Sequence, residues 1–123
     1  MAKIRTDLIA KELKKRAAGQ QVARNFSLQD YCFDKQLSFI EDPARFKTAV
    51  CSRRAGKTIA CAADLLTTAL TMPGDVAYIT LSRRNAKRII WRELIKLNKE
   101  YNLGGKADNT ELTITFPNSN VIH

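Results

Sequence analysis

The sequence predicts an α/β fold with an incomplete parallel sheet as its core, N-terminal helices and a C-terminal β-hairpin. Two short apolar runs, 46–51 (FKTAVC) and 76–81 (VAYITL), are rich in the β-branched and aromatic residues that suit buried strands. Each leads into a helical pattern, and the order strand, helix, strand, helix requires parallel pairing through right-handed crossovers. A third segment, 111–116, alternates Leu112, Ile114 and Phe116 with Thr113 and Thr115 before the turn signal Pro117-Asn118-Ser119-Asn120. Val121 and Ile122 open the return strand of that hairpin.

The 123 residues allow one domain at most, and 45% hydrophobic with 27% charged residues is a soluble, globular composition. No apolar run reaches the roughly 18 residues that a membrane span needs. The N-terminus carries Lys3, Arg5 and Asp7 without an apolar core, so no secretory signal is read there and a cytoplasmic location is expected. Cys32, Cys51 and Cys61 form no CxxC pair and the single histidine is His123, which leaves no zinc set and predicts reduced thiols. The 21 Lys and Arg against 12 Asp and Glu give +9. That excess calls for an anionic partner, nucleic acid before anionic lipid, although charge alone is equally compatible with plain solubility.

Residues 1–26 read as a basic N-terminal helix and linker. Seven bases, Lys3, Arg5, Lys11, Lys14, Lys15, Arg16 and Arg24, stand against Asp7 and Glu12, with Leu8, Ile9, Leu13 and Ala17 at loosely helical spacing. Gly19 predicts the end of that helix and 19–27 a linker. Residues 27–123 read as one unit. A short helix carries Phe33, Leu37 and Ile40 and is stopped by Pro43; strand 46–51 follows. The helix over 56–72 is apolar on most faces, hence buried, and Pro73-Gly74 ends it. After strand 76–81 comes a helix over 85–102 with Ala86, Ile90, Leu94, Leu97 and Tyr101 on one stripe, closed by Gly104-Gly105.

The chemistry concentrates in CSRRAGKT, residues Cys51, Ser52, Arg53, Arg54, Ala55, Gly56, Lys57 and Thr58. It fits the nucleotide-binding loop GxxxxGK[ST], except that Cys51 stands where the first glycine is expected. In such a loop backbone N–H groups converge on phosphate at a helix N-terminus, whose partial positive charge adds to theirs. Gly56 lets the backbone approach closely, Lys57 reaches the β- and γ-phosphate oxygens, and the Thr58 hydroxyl is a ligand of Mg2+. A lone GKT tripeptide starts helices by chance; the strand before it and the apolar helix after it favour the loop. Cys51 reads as a packing thiol at a strand end. Arg53 is favoured as a finger on the γ-phosphate or a nucleotide sensor over an ion pair across the sheet edge, and Arg54 stays open between these.

Together with FDKQLSFI upstream, VAYITLSRRNAKRIIW and the hairpin ELTITFPNSN, this loop resembles the start of the ATPase domain of tailed-bacteriophage terminase large subunits, the motors that package DNA into capsids. The resemblance spans 33–122 and rests mainly on the loop. It implies a P-loop NTPase of the additional-strand, RecA- or helicase-like class, with 27–123 as the N-terminal part of its ATPase domain. It implies ATP and Mg2+ as ligands, catalytic roles for Lys57 and Arg53, and a place for Gln36 in an adenine-recognition motif. The residues by themselves equally allow Gln36 as a solvent-facing helix glutamine. The implied partners are double-stranded DNA, the small terminase subunit, the portal protein and further copies in a ring, at the procapsid portal in the host cytoplasm, with no membrane. Two departures stand out. The hairpin turns on Asn118-Ser119 where relatives commonly have Asn-Gly, and no apolar strand ends in an Asp-Glu pair. The second Mg2+ carboxylate, the water-orienting glutamate and the nuclease domain are therefore not found, so the chain is expected to bind ATP without turning it over.

Between 82 and 99 seven bases, Arg83, Arg84, Lys87, Arg88, Arg92, Lys96 and Lys99, face Glu93 alone. Arg83, Arg84, Lys87 and Arg88 sit at a helix N-terminus, where positive charge opposes the helix dipole, so a contact with DNA phosphates or a neighbouring subunit's acids is expected. In a doubly wound sheet Arg83 and Arg84 would share a face with the phosphate loop. Lys96 and Lys99 read as a solvated face. Other readings are a helicase-like ATPase and a truncated, non-enzymatic remnant that binds nucleotide and nucleic acid by charge; a small-molecule kinase fits least.

Overall fold

The computed structural model describes residues 2–23 and 26–123, the side chains of 2–5, 16 and 18–23 excepted. Helix α1 (Ala2–Ala23) runs on through Gly19, where the sequence predicts a linker. A glycine inside a helix costs about 1 kcal/mol against alanine, and the alanines and glutamines around it are good helix formers. The side chains of Lys3, Arg5, Arg16 and Arg24 lie outside the described residues. Leu8, Ile9 and Leu13 are exposed, so α1 presents apolar residues to solvent. No described helix is long and apolar enough to cross a membrane.

Two short helices follow, α2 (Leu28–Tyr31) and α3 (Asp34–Glu41), the second where Phe33, Leu37 and Ile40 predict one. The N–H of Phe33, the residue before α3, donates to Gln36 Oε1 at 3.0 Å, the back-reaching bond that a Gln at the third helical position makes. Helix α4 (Lys57–Thr71) is central: Ala62, Ala63, Leu66 and Ala69 are fully buried, and it packs on α1, α3 and the last helix. That last helix is continuous through α5 (Arg83–Ala86), a π-helical turn (Lys87–Trp91) and α6 (Arg92–Glu100). The wider turn admits an extra residue, so the consecutive Ile90 and Trp91 are both buried beside Leu94 and Leu97. It starts at Arg83, two places before the predicted 85, capped by Ser82, whose Oγ accepts the Asn85 N–H at 3.3 Å.

Strands β1 (Lys106–Asp108), β2 (Thr113–Thr115) and β3 (Val121–Ile122) form an antiparallel meander with Ala107 opposite Ile114 and Ile114 opposite Ile122. Ile114, Phe116 and Ile122 are buried, as the alternation predicts. One parallel pairing extends this sheet: Val76 and Tyr78 donate to Val121 O and His123 O, and His123 donates to Val76 O, each at 2.8 Å. The two predicted strands are otherwise not formed among the described residues. Phe46 is 85% exposed, Val50 99%, Ile79 91% and Leu81 99%. An apolar, β-branched run becomes a strand only where a neighbour offers its edge; β3 does so for Val76–Tyr78, and no described segment does so for 46–51.

Candidate functional site

Residues 51–58 lead directly into α4. Gly56 caps the helix with φ +78, and Arg54 also has positive φ, +61. Left-handed residues interleaved with ordinary ones turn successive N–H groups into an anion-binding concavity. The first N–H groups of α4 have no intrahelical partner by position, and no side chain among the described residues caps them. Lys57 Nζ donates across the loop to Ser52 O at 2.6 Å, while Ala60 N–H closes on Gly56 O at 3.1 Å. An ammonium on a neutral carbonyl is a charge that an arriving phosphate can take over.

Thr58 is half-buried, and its hydroxyl has no partner among the described residues. No group of three or more His, Cys, Asp or Glu side chains there is placed to hold a metal ion. Arg53 and Arg54 are exposed with no carboxylate partner among the described residues, so the ion pair across a sheet edge is not formed. Cys51 is exposed rather than packed, because the segment that carries it joins no sheet.

Gln36 is not solvent-facing. It is 6% exposed, and besides accepting from Phe33 it donates from Nε2 to Gly56 O at 2.9 Å. Helix α3 and the loop are thus joined by a residue pair twenty apart in sequence. Its signal in the sequence is the Gln three places after Phe33 at a helix start, the capping-box spacing, which says nothing of the loop.

Arg83, Arg84, Lys87 and Arg88 are all exposed. The Asp108 carboxyl is held below the usual carboxylate range by the N–H of Glu111, then that of Thr110, with the Arg83 guanidinium adding to both. Arg83 therefore lies by the β1–β2 turn, where it lines an open hollow of about 400 Å³ with Tyr78, Trp91 and Leu112. Among the described residues no hydrogen bond or ion pair joins Arg83 or Arg84 to the loop. Lys96 pairs with Glu93 at 3.5 Å and Lys99 is exposed, in keeping with a solvated face. No protein-family model, curated protein or solved structure matches the chain.

Proposed function

We propose that this chain is the ATP-binding part of a DNA-packaging ATPase of the terminase large-subunit kind. The observation that carries the reading is the junction of 51–58 with α4: Gly56 left-handed at the helix start, uncapped N–H groups, and Lys57 folded onto Ser52 O. A triphosphate entering there receives the backbone N–H groups at its β-phosphate and draws Lys57 Nζ from Ser52 O to its own oxygens. Arg53, free on the loop, supplies positive charge to the γ-phosphate. The Thr58 hydroxyl would hold Mg2+, which would supply neutralising charge for the phosphate oxygens. Binding without turnover is proposed for the chain by itself, because no apolar run of the sequence ends in an Asp-Glu pair.

The parallel P-loop sheet belongs to this proposal; of its two expected strands only Val76–Tyr78 is paired among the described residues, in parallel with β3, and that pairing supports it. Arg83, Arg84, Lys87 and Arg88 are assigned to duplex phosphates, since exposed bases at a helix N-terminus lower helix stability without an anion. The small terminase subunit, the portal protein and a ring of copies rest on the resemblance. A second reading, binding of nucleotide and nucleic acid by charge alone, is favoured by the same exposed bases.

Titration of ATP with Mg2+ against the chain and its Lys57→Ala variant tests the site. Loss of a charge-assisted hydrogen bond predicts binding weakened by about tenfold to a hundredfold. Equal affinities, or sustained hydrolysis that Lys57→Ala abolishes, contradict the proposal.

A further inference from the structure

The phosphate loop and helix α3 are coupled at one buried amide. Gln36 is the sole buried polar side chain among the described residues. Its Oε1 accepts the Phe33 N–H at 3.0 Å and its Nε2 donates to Gly56 O at 2.9 Å. The fit is close: a Cβ added at Gly56 would stand 2.5 Å from Gln36 Nε2 and 3.4 Å from the Phe33 ring. Each end of the amide thus holds one backbone partner, which fixes the amide plane, and the side chain is almost fully buried.

A primary amide offers two N–H bonds and two lone pairs, and a base edge must be met by a donor and an acceptor in one plane. Turning the amide to meet a base would break both internal bonds and leave the Phe33 N–H and one acceptor site of Gly56 O without these partners. Gly56 is the residue whose left-handed φ of +78 aims the first N–H groups of α4. An amide that fixes the Gly56 carbonyl fixes that peptide plane, and with it the direction of the donors that follow.

We propose that Gln36 is a positioning residue that sets the phosphate loop through Gly56 and does not read the nucleotide base, so that this site selects its ligand by the triphosphate chain. The proposal rests on the phosphate-loop reading above. It predicts that ATP, GTP and inorganic tripolyphosphate depend on Gln36 to the same degree.

The test is equilibrium binding of those three ligands, with Mg2+, to the chain and to its Gln36→Ala and Gln36→Glu variants, with thermal unfolding of each followed in parallel. Gln36→Glu keeps the acceptor for Phe33 N–H but sets a carboxylate oxygen against Gly56 O, and should weaken all three ligands by about the same tenfold. As the pH is lowered its carboxyl gains a proton that it can donate to Gly56 O, so the gap to the unsubstituted chain should narrow for all three; a merely structural lesion would not recover in this way. Gln36→Ala should weaken the three ligands equally at every pH. Should it fail to fold, Gln36→Glu carries the test. Loss of ATP binding with tripolyphosphate unaffected would overturn the proposal in favour of base recognition, and unchanged affinities throughout would overturn it outright. If the unsubstituted chain fails to bind tripolyphosphate, the phosphate-loop reading itself is wrong and this inference falls with it.

Discussion

Asn120 spends its side-chain amide on the end of α4. Its Nδ2 donates to Ala69 O at 2.8 Å and to Met72 O at 2.7 Å, while Asn118 Nδ2 donates to the same Ala69 O at 2.8 Å. The last carbonyls of a helix have no partner within it, so these two asparagines cap α4 from the hairpin turn. The sequence makes the turn legible, because Pro-Asn-Ser-Asn is turn chemistry, but not the capping, whose partners lie some fifty residues away. Ser119 takes φ +69, the left-handed region that favours glycine. Asn120→Ala should lower the free energy of unfolding by about 1 kcal/mol, since Ala69 O keeps Asn118 while Met72 O loses its side-chain donor. Urea denaturation measures this, and an unchanged midpoint would show that the bonds do not matter. The same division holds at the phosphate loop. Lys57, Thr58 and Gly56 are legible from spacing, whereas the use of Gln36 depends on which backbone atom α3 brings within reach.

Among the elements, α2 is held to α6 by the Tyr31 hydroxyl, which donates to Glu93 Oε1. Burial raises the Tyr31 pKa, and the hydrogen bond to Glu93 and its negative charge raise it further. A group whose pKa is raised on folding contributes stability that is present below its unfolded value, about 10 for tyrosine, and lost as pH rises through the folded one. Stability of the chain should therefore fall more steeply above about pH 10 than that of Tyr31→Phe, which has no proton to lose. Thermal unfolding at several alkaline pH values checks this; parallel curves would remove the tether from the account. The helices and the hairpin were legible because 3.6-residue and two-residue periodicities report which face each element buries. Segments 46–51 and 76–81 were not, because an apolar run records a preference for burial and not the presence of a neighbour to bury it. The π-helical turn has no sequence period of its own, and so Trp91 is absent from the predicted stripe.

Over the whole molecule the net charge of +9 separates into groups with different prospects. Lys57, Arg53 and Arg54 lie at the start of α4, where phosphate is proposed to bind; Arg83, Arg84, Lys87 and Arg88 are exposed, with Arg83 near the β1–β2 turn; and Lys96 already has Glu93. Composition predicts an anionic partner without saying where it docks, and the proposal places it at 51–58 on the backbone of that segment. The measurement that separates such a site from a charged surface most directly is the set of backbone amide chemical shifts on addition of tripolyphosphate with Mg2+. The account predicts saturable shifts concentrated at Gly56, Lys57 and Thr58, abolished by Lys57→Ala. Shifts spread over Arg83, Arg84, Lys87 and Arg88, with the loop amides unmoved, would contradict it and leave a chain that binds anions by charge alone.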